Sequence, residues 1–386
     1  MSQTLSNSFF LGRFLSQLAS RLADFLFPLA IYLHSGSLAL SGFALAIEWL
    51  PRVLGSPLCG ALADRYRGGR LLVFADVARA LLGIVPFFSM EIATLLCVSA
   101  VFGFLSALSQ LTLERVVASS EGSIQRTQLT LEIINNLAFV LGSAVASVLI
   151  IYLNLNTVFL AISAIFLCSM PCVWNVGQRA TCCSRFSLLS DVSLALSLLS
   201  SRRALRRVIA SGFLISIVFG IVTSTGPAMV MGTFELGKKA FGHAQVGAAL
   251  ATVIIVLTSQ LIPGIALQRH KIGFMAIAVG LAGVVISPTF AIWMTSYAIF
   301  SAGIAMFLIY LRCARIALIP VEHFGKALGV IMVLTIAGLP IGGLLVAALA
   351  SLLPTRAVIA LAVPLFAAAV FVLARRHASL PNAEKT

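Results

Sequence analysis

The sequence predicts an all-α integral membrane protein of twelve transmembrane helices in two pseudo-symmetric six-helix bundles. Composition points there first. Of the 386 residues, 60% are hydrophobic and 10% charged, with a mean hydropathy of +1.08, whereas a soluble domain carries about 25% charged residues. Length is the second observation. Apolar stretches of about 20 residues, enough to cross the hydrocarbon of a bilayer, follow one another along the chain with short turns between them. Repetition is the third. Gly60-Ala-Leu-Ala-Asp64-Arg65 after the second stretch is echoed by Gly264-Ile-Ala-Leu-Gln268-Arg269 after the eighth. Glu121 and Glu322, and likewise Gly142 and Gly343, lie 201 residues apart. Such a repeat suggests two bundles that rock about a central site.

The spans read as 9–33, 39–61, 71–90, 92–113, 127–152, 157–175, 207–232, 245–267, 272–289, 291–311, 327–350 and 357–374. Span one carries Arg13, Gln17, Ser20, Arg21 and Asp24 at steps of three and four, which form one stripe. Span two carries Ser41, Glu48, Arg52 and Ser56 on one face, with Pro51 loosening the helix. Span three holds Asp76 and Arg79 toward its basic end, and span five holds Gln128, Glu132, Asn135, Asn136 and Ser143 along one face. Span seven offers Thr223, Ser224 and Thr225 before Gly226-Pro227, span eight Thr258, Ser259 and Gln260, and span ten Tyr297 and Tyr310. Spans four, six, nine, eleven and twelve rest on apolar length. Polar stripes must avoid lipid, so each faces a neighbouring helix or a water-filled cavity.

Basic residues choose a side. Arg65, Arg67, Arg70, Arg115, Arg126, the arginines of 179–207, Arg269, Lys271, Arg312, Arg315, Lys326 and the tail all fall on one side, and only Lys238, Lys239 and Arg356 fall on the other. That asymmetry places both termini in the cytoplasm. It also accounts for the net charge of +14, so the basic residues read as topology signals and lipid-headgroup contacts, not as a nucleic-acid surface. Met1 to Ser8 carry no basic residue and no small-residue cleavage site follows, so no cleavable signal is expected. The seven cysteines are odd in number and mostly sit in apolar runs, which points to reduced packing residues. The chain divides into a first bundle, 1–175, a linker, 176–206, a second bundle, 207–375, and a tail, 376–386. Leucines among the serines of 186–199 suggest a short helix lying on the inner membrane surface.

Charge inside a span costs roughly 2.5–3.5 kcal/mol per residue, so the embedded charges mark a polar path. Arg21 with Asp24, Glu48 with Arg52, and Asp76 with Arg79 are spaced to pair within one helix. Pairing favours the ionised carboxylate, so proton carriage requires the pair to separate in one conformation. Asp24 and Glu48 are the deepest candidates, with Asp24 ranked first and Asp24→Asn expected to abolish proton-linked transport at normal protein level. Glu132 has no basic partner three or four residues away on its helix. Arg21, Asp24, Glu48, Arg52, Glu132, Asn135 and Asn136 form the candidate coupling and central cavity. Gln17, Thr223, Ser224, Tyr297 and Tyr310 are the candidate substrate cavity. Span interiors of the second half hold no acid, so any proton site lies in the first.

These features together resemble the major facilitator superfamily over essentially the whole chain. The best marker is Gly60-Ala-Leu-Ala-Asp64-Arg65-Tyr66-Arg67-Gly68-Gly69-Arg70, similar to the signature loop between helices two and three, with Arg67 where the family often has glycine. The arginines of this run, Leu22-Ala23-Asp24, Leu50-Pro51 and Ala75-Asp76-Val77-Ala78-Arg79 resemble the drug-exporter branch that includes macrolide and enterobactin-type siderophore exporters. The resemblance implies a cytoplasmic gate built from Gly60, Asp64, Arg65, Arg70, Asp76 and Arg79, in a bacterial inner-membrane protein. Gln268 replaces the acid in the second copy, so no acidic role is carried there.

The leading expectation is a proton-coupled secondary transporter that exports a small organic molecule, a siderophore or related metabolite. Multidrug or macrolide-type efflux and uptake of a siderophore or metabolite are the alternatives. The proton gradient is the energy source and no cofactor is expected. One proton moving across 100 mV releases about 2.3 kcal/mol, and half a pH unit adds roughly 0.7 kcal/mol, enough for a gradient on the order of a hundredfold. No Walker-type phosphate loop is present. His34, His243, His270, His323 and His377 read as loop or tail residues, which argues against a metal site and against an intramembrane enzyme. The expected partners are the small-molecule substrate and the bilayer, and a monomeric state fits this reading.

Overall fold

The computed structural model describes residues 7–118, 124–174, 188–261, 269–319, 330–331 and 333–374. Its elements are α1 Asn7–Ser35, α2 Leu38–Leu54, α3 Ser56–Arg65, α4 Gly68–Phe88, α5 Ile92–Ala118, α6 Ile124–Tyr152, α7 Leu155–Trp174, α8 Leu188–Ser201, α9 Arg203–Ala228, α10 Lys238–Leu261, α11 Arg269–Ile286, α12 Phe290–Leu318, α13 Gly338–Leu349, α14 Thr355–Ala360 and α15 Ala362–Ala374. Among the described residues no strand occurs, and eight helices are long and apolar enough to cross a membrane. Taken with the broken or shorter helices between them, this is consistent with the twelve crossings predicted.

Several helices run past the predicted spans, because charged residues can continue a helix beyond the hydrocarbon. The predicted loop 62–70 shrinks to Tyr66–Arg67, so most of the signature run is helical. α10 begins at Lys238, which puts His243 in its second turn, and His34 and His270 also sit in end turns of helices rather than in loops. Span two breaks at Gly55, four residues after Pro51, where a Cβ would meet the Phe104 ring at 2.6 Å. Span seven ends in a π-helical turn, Met229–Thr233, directly after Gly226-Pro227. The tight turn from α1 to α2 passes through Gly36 at φ 61°, a left-handed conformation that glycine adopts without penalty.

α8 lies where a linker helix was expected, and its described leucines pack on the second half. Leu194, Leu198 and Leu199 pack on Leu205, Ile209, Ile319 and Ile331 of the second half, and Arg202 donates to the Leu318 carbonyl at 3.0 Å. The Cys182-Cys183 pair lies outside the described residues; Cys59, Cys97, Cys168, Cys172 and Cys313 are free thiols.

The end of the bundle where α1 begins gathers Phe9, Leu72, Val116, Val117 and Leu131. At the far end, where α1 finishes, the two halves of the chain meet. Ser41 donates to the Ser224 carbonyl at 2.9 Å, Phe25 stacks on Phe241 at 5.5 Å, and Gly242 lies against the Ser147 carbonyl. α2 crosses α13 glycine on glycine: a Cβ on Gly42 would stand 2.6 Å from the Gly343 carbonyl oxygen. Neither backbone can yield at that distance. Gly42→Leu is therefore expected to part α2 from α13, with faster amide hydrogen exchange across residues 41–46 and 343–347.

Candidate functional site

The polar stripe of α1 runs from Arg13 to Asp24, about 16 Å along the axis at 1.5 Å per residue. The structure divides it into two clusters, and each recruits charge from a different neighbour.

Asp24 organises the deeper cluster. It accepts from Arg21 Nη1 at 2.9 Å and, across the helix boundary, from Arg52 Nη2 of α2 at 2.8 Å. Arg52 stands in the last turn of α2, where the helix dipole favours a cation, and lies 4.1 Å over the Trp49 ring. Glu48, one turn back on α2, is fully buried. Its nearest cation among the described residues is Arg52 Nη2 at 3.6 Å, and among them no N–H or hydroxyl donates to either of its oxygens. Two guanidinium groups thus bond Asp24, and neither bonds Glu48. The two acids are placed so that a protonated Glu48 can donate to Asp24. Two glycines let the helices close this tightly: Gly142 of α6 lies on Arg21, and Gly103 of α5 lies on the Glu48 backbone.

This geometry reorders the two candidate acids. Depth in the span ranked Asp24 first as proton carrier. In the fold Asp24 is doubly paired, while Glu48 is a buried carboxyl without a donor among the described residues. An ionised carboxylate in that position is costly, and a proton removes the cost.

The second cluster joins α1, α4, α5 and α7. Asp76 accepts from Ser16 at 2.9 Å, from Ser169 at 2.9 Å and from Arg79. Arg79 also donates to the Ser20 and Ser16 hydroxyls at 2.7 and 3.2 Å and lies 4.5 Å over the Phe166 ring. Arg13 donates to Ser109 at 3.1 Å and stands 3.9 Å from Asp76. Asp76 and Arg79 are 0% and 2% exposed. Among the described residues their partners all come from the first half, in a buried clamp set back from the exposed α3–α4 turn. The sequence reading did not single out Ser16, Ser109 or Ser169. A serine in an apolar helix looks the same whether it bonds a distant acid or its own preceding turn, so no local signal marks them.

Residues 9–311 match the Major Facilitator Superfamily. The chain belongs to this superfamily. No curated protein matches it. Solved structures of the same fold include the nucleoside transporter NupG, 13% identical with a TM-score of 0.70, covering 96% of this chain and 100% of that one. The human organic anion transporter MFSD10 (TETRAN) is 18% identical with a TM-score of 0.68, covering 96% and 98%. A bacterial homologue of the iron transporter ferroportin, in an inward-facing state, is 17% identical with a TM-score of 0.65, covering 97% and 99%. At these identities the likeness shows the fold alone.

The major facilitator fold redistributes the remaining candidates. Ser224 is closed off: its hydroxyl returns to the Gly220 carbonyl at 2.7 Å and its own carbonyl is taken by Ser41. Tyr297 is also packing, bonded to Gln245 at 3.2 Å and stacked on Trp293 at 5.1 Å. Gln17, Asn135, Thr223 and Tyr310 are half-buried, with Tyr310 beside the His270 ring at 5.3 Å. Arg65 and Arg70 are exposed at the turn after Gly60. The side chains of Asp64, Glu132 and Asn136 lie outside the described residues. Among the described residues no three metal-binding side chains gather.

Proposed function

We propose that this membrane transporter is a proton-driven exporter of the bacterial inner membrane, with both termini cytoplasmic, whose cargo is a small organic molecule of the siderophore type. It would belong with the drug- and siderophore-exporting branch of the superfamily that its signature run resembles. One observation carries the reading: a fully buried Glu48 with no hydrogen-bond donor among the described residues, beside a doubly paired Asp24. Ionised Glu48 is an acceptor in want of donors, and a hydroxyl-rich cargo such as a catecholate supplies them once the cavity opens. A proton on Glu48 removes that acceptor, and the protonated carboxyl turns to Asp24. Cargo and proton therefore exclude each other at one group, which is the condition for exchange in opposite directions. An amine-bearing drug would compete for Glu48 with the same sign.

A second reading follows from Arg21 and Arg52. A carboxylate-rich cargo held by these guanidinium groups binds best when Glu48 is protonated, because the site then has a surplus positive charge. Cargo and proton would then travel together, inward.

The sign of the coupling separates the two. Purified protein in liposomes, with an imposed pH gradient, is offered catecholate and carboxylate siderophores, a macrolide and a lipophilic cation. Proton movement opposite to the catecholate is the expected result. Movement with the carboxylate cargo would establish the second reading, and no cargo-triggered proton flux from any ligand would overturn both.

A further inference from the structure

The clamp on Asp76 holds more positive charge than negative. Arg13 and Arg79 face a single acid, and that acid is already engaged by Arg79, Ser16 and Ser169. Arg13 is the surplus cation. It is 0% exposed, and among the described residues its one hydrogen bond goes to Ser109, its Nε and Nη1 make no hydrogen bond, and its contact with Asp76 is a 3.9 Å one shared with Arg79. A guanidinium so far from water, with two nitrogens that make no hydrogen bond and one distant acid shared with a second arginine, is a costly arrangement for a membrane helix.

The helix facing it offers further unused polar atoms. Ser109 accepts from Arg13, which leaves its own O–H free to donate. Thr112, three residues on and so on the same face of α5, is fully buried with an unpartnered hydroxyl. Two guanidinium N–H groups and two hydroxyls therefore gather as donors around a net positive charge. Water could meet some of these donors but would leave the charge. An anion accepts from all of them and cancels it.

We propose that a small monovalent inorganic anion of the chloride class binds at Arg13, between α1 and α5, with Ser109 and Thr112 as its hydroxyl donors. It is a resident ion of the first half, separate from the Asp24–Glu48 site, and does not rest on the transport reading. Its binding neutralises the clamp that fixes α1 against α4, α5 and α7.

The test is thermal unfolding of the full-length protein in detergent, in sodium chloride, sodium bromide or sodium gluconate at equal ionic strength. A ligand of the folded state raises Tm in proportion to its occupancy. The expected result is a saturable Tm increase with chloride and bromide over gluconate, lost in Arg13→Gln. Thr112→Val keeps the side-chain volume and removes one donor. It should melt as the parent does in gluconate while needing several-fold more chloride for the same increase. Equal Tm in chloride and gluconate overturns the proposal. So does a halide effect that survives in Arg13→Gln or, if that variant does not fold, one undiminished in Thr112→Val.

Discussion

Glu48→Gln is expected to reduce proton-driven transport to background while the protein still folds and binds cargo. Glutamine has the shape of protonated glutamic acid and can donate to Asp24 in its place. Arg52 keeps its 2.8 Å bond to Asp24 in the variant, so no buried cation is stranded. The stability change should stay within about 1 kcal/mol, since the only pair lost among the described residues is the 3.6 Å contact with Arg52, which keeps its shorter bond to Asp24. Cargo exchange without net proton movement should persist in liposomes, because exchange needs alternating access but not the proton. Proton-coupled transport at the parent rate would remove Glu48 from the mechanism. Asp24→Asn is a poorer test in this fold. It takes the shared anion from both Arg21 and Arg52, so lost transport would be accompanied by lost stability, where the central charges read from the sequence led to an expectation of normal protein level.

Asp76→Ala is expected to be the most destabilising single change in the first half. It removes the acceptor of Arg79, Ser16 and Ser169 at once and leaves two fully buried arginines with no acid. Breaking a buried pair in this way costs about 3–5 kcal/mol. The expected observation is a sharp fall in Tm with loss of folded protein, whereas Arg65→Ala, at an exposed position, should leave Tm nearly unchanged. Equal Tm for Asp76→Ala and the parent would show that the cluster does not hold α4 to α1 and α7.

The helical membrane architecture was legible in the sequence, because apolar length and step-of-three-or-four spacing are local properties. The pairs Arg21–Asp24 and Asp76–Arg79 form as that spacing predicts. Glu48–Arg52 is present only as a 3.6 Å contact, because Arg52 reaches across to Asp24 instead. Spacing limits which side chains share a helix face, but the choice of partner depends on which helix lies opposite. That is decided by close crossings such as Gly142 on Arg21 and Gly103 on Glu48. Other helix contacts carry Ser169 of α7 to Asp76 and close Ser224 and Tyr297 into packing. Residue order thus set the helices, their polar stripes and the half of the chain that holds the acids. Tertiary packing decided which acid is left without a donor, since a long side chain such as arginine bonds the best-placed carboxylate within reach, whichever helix carries it.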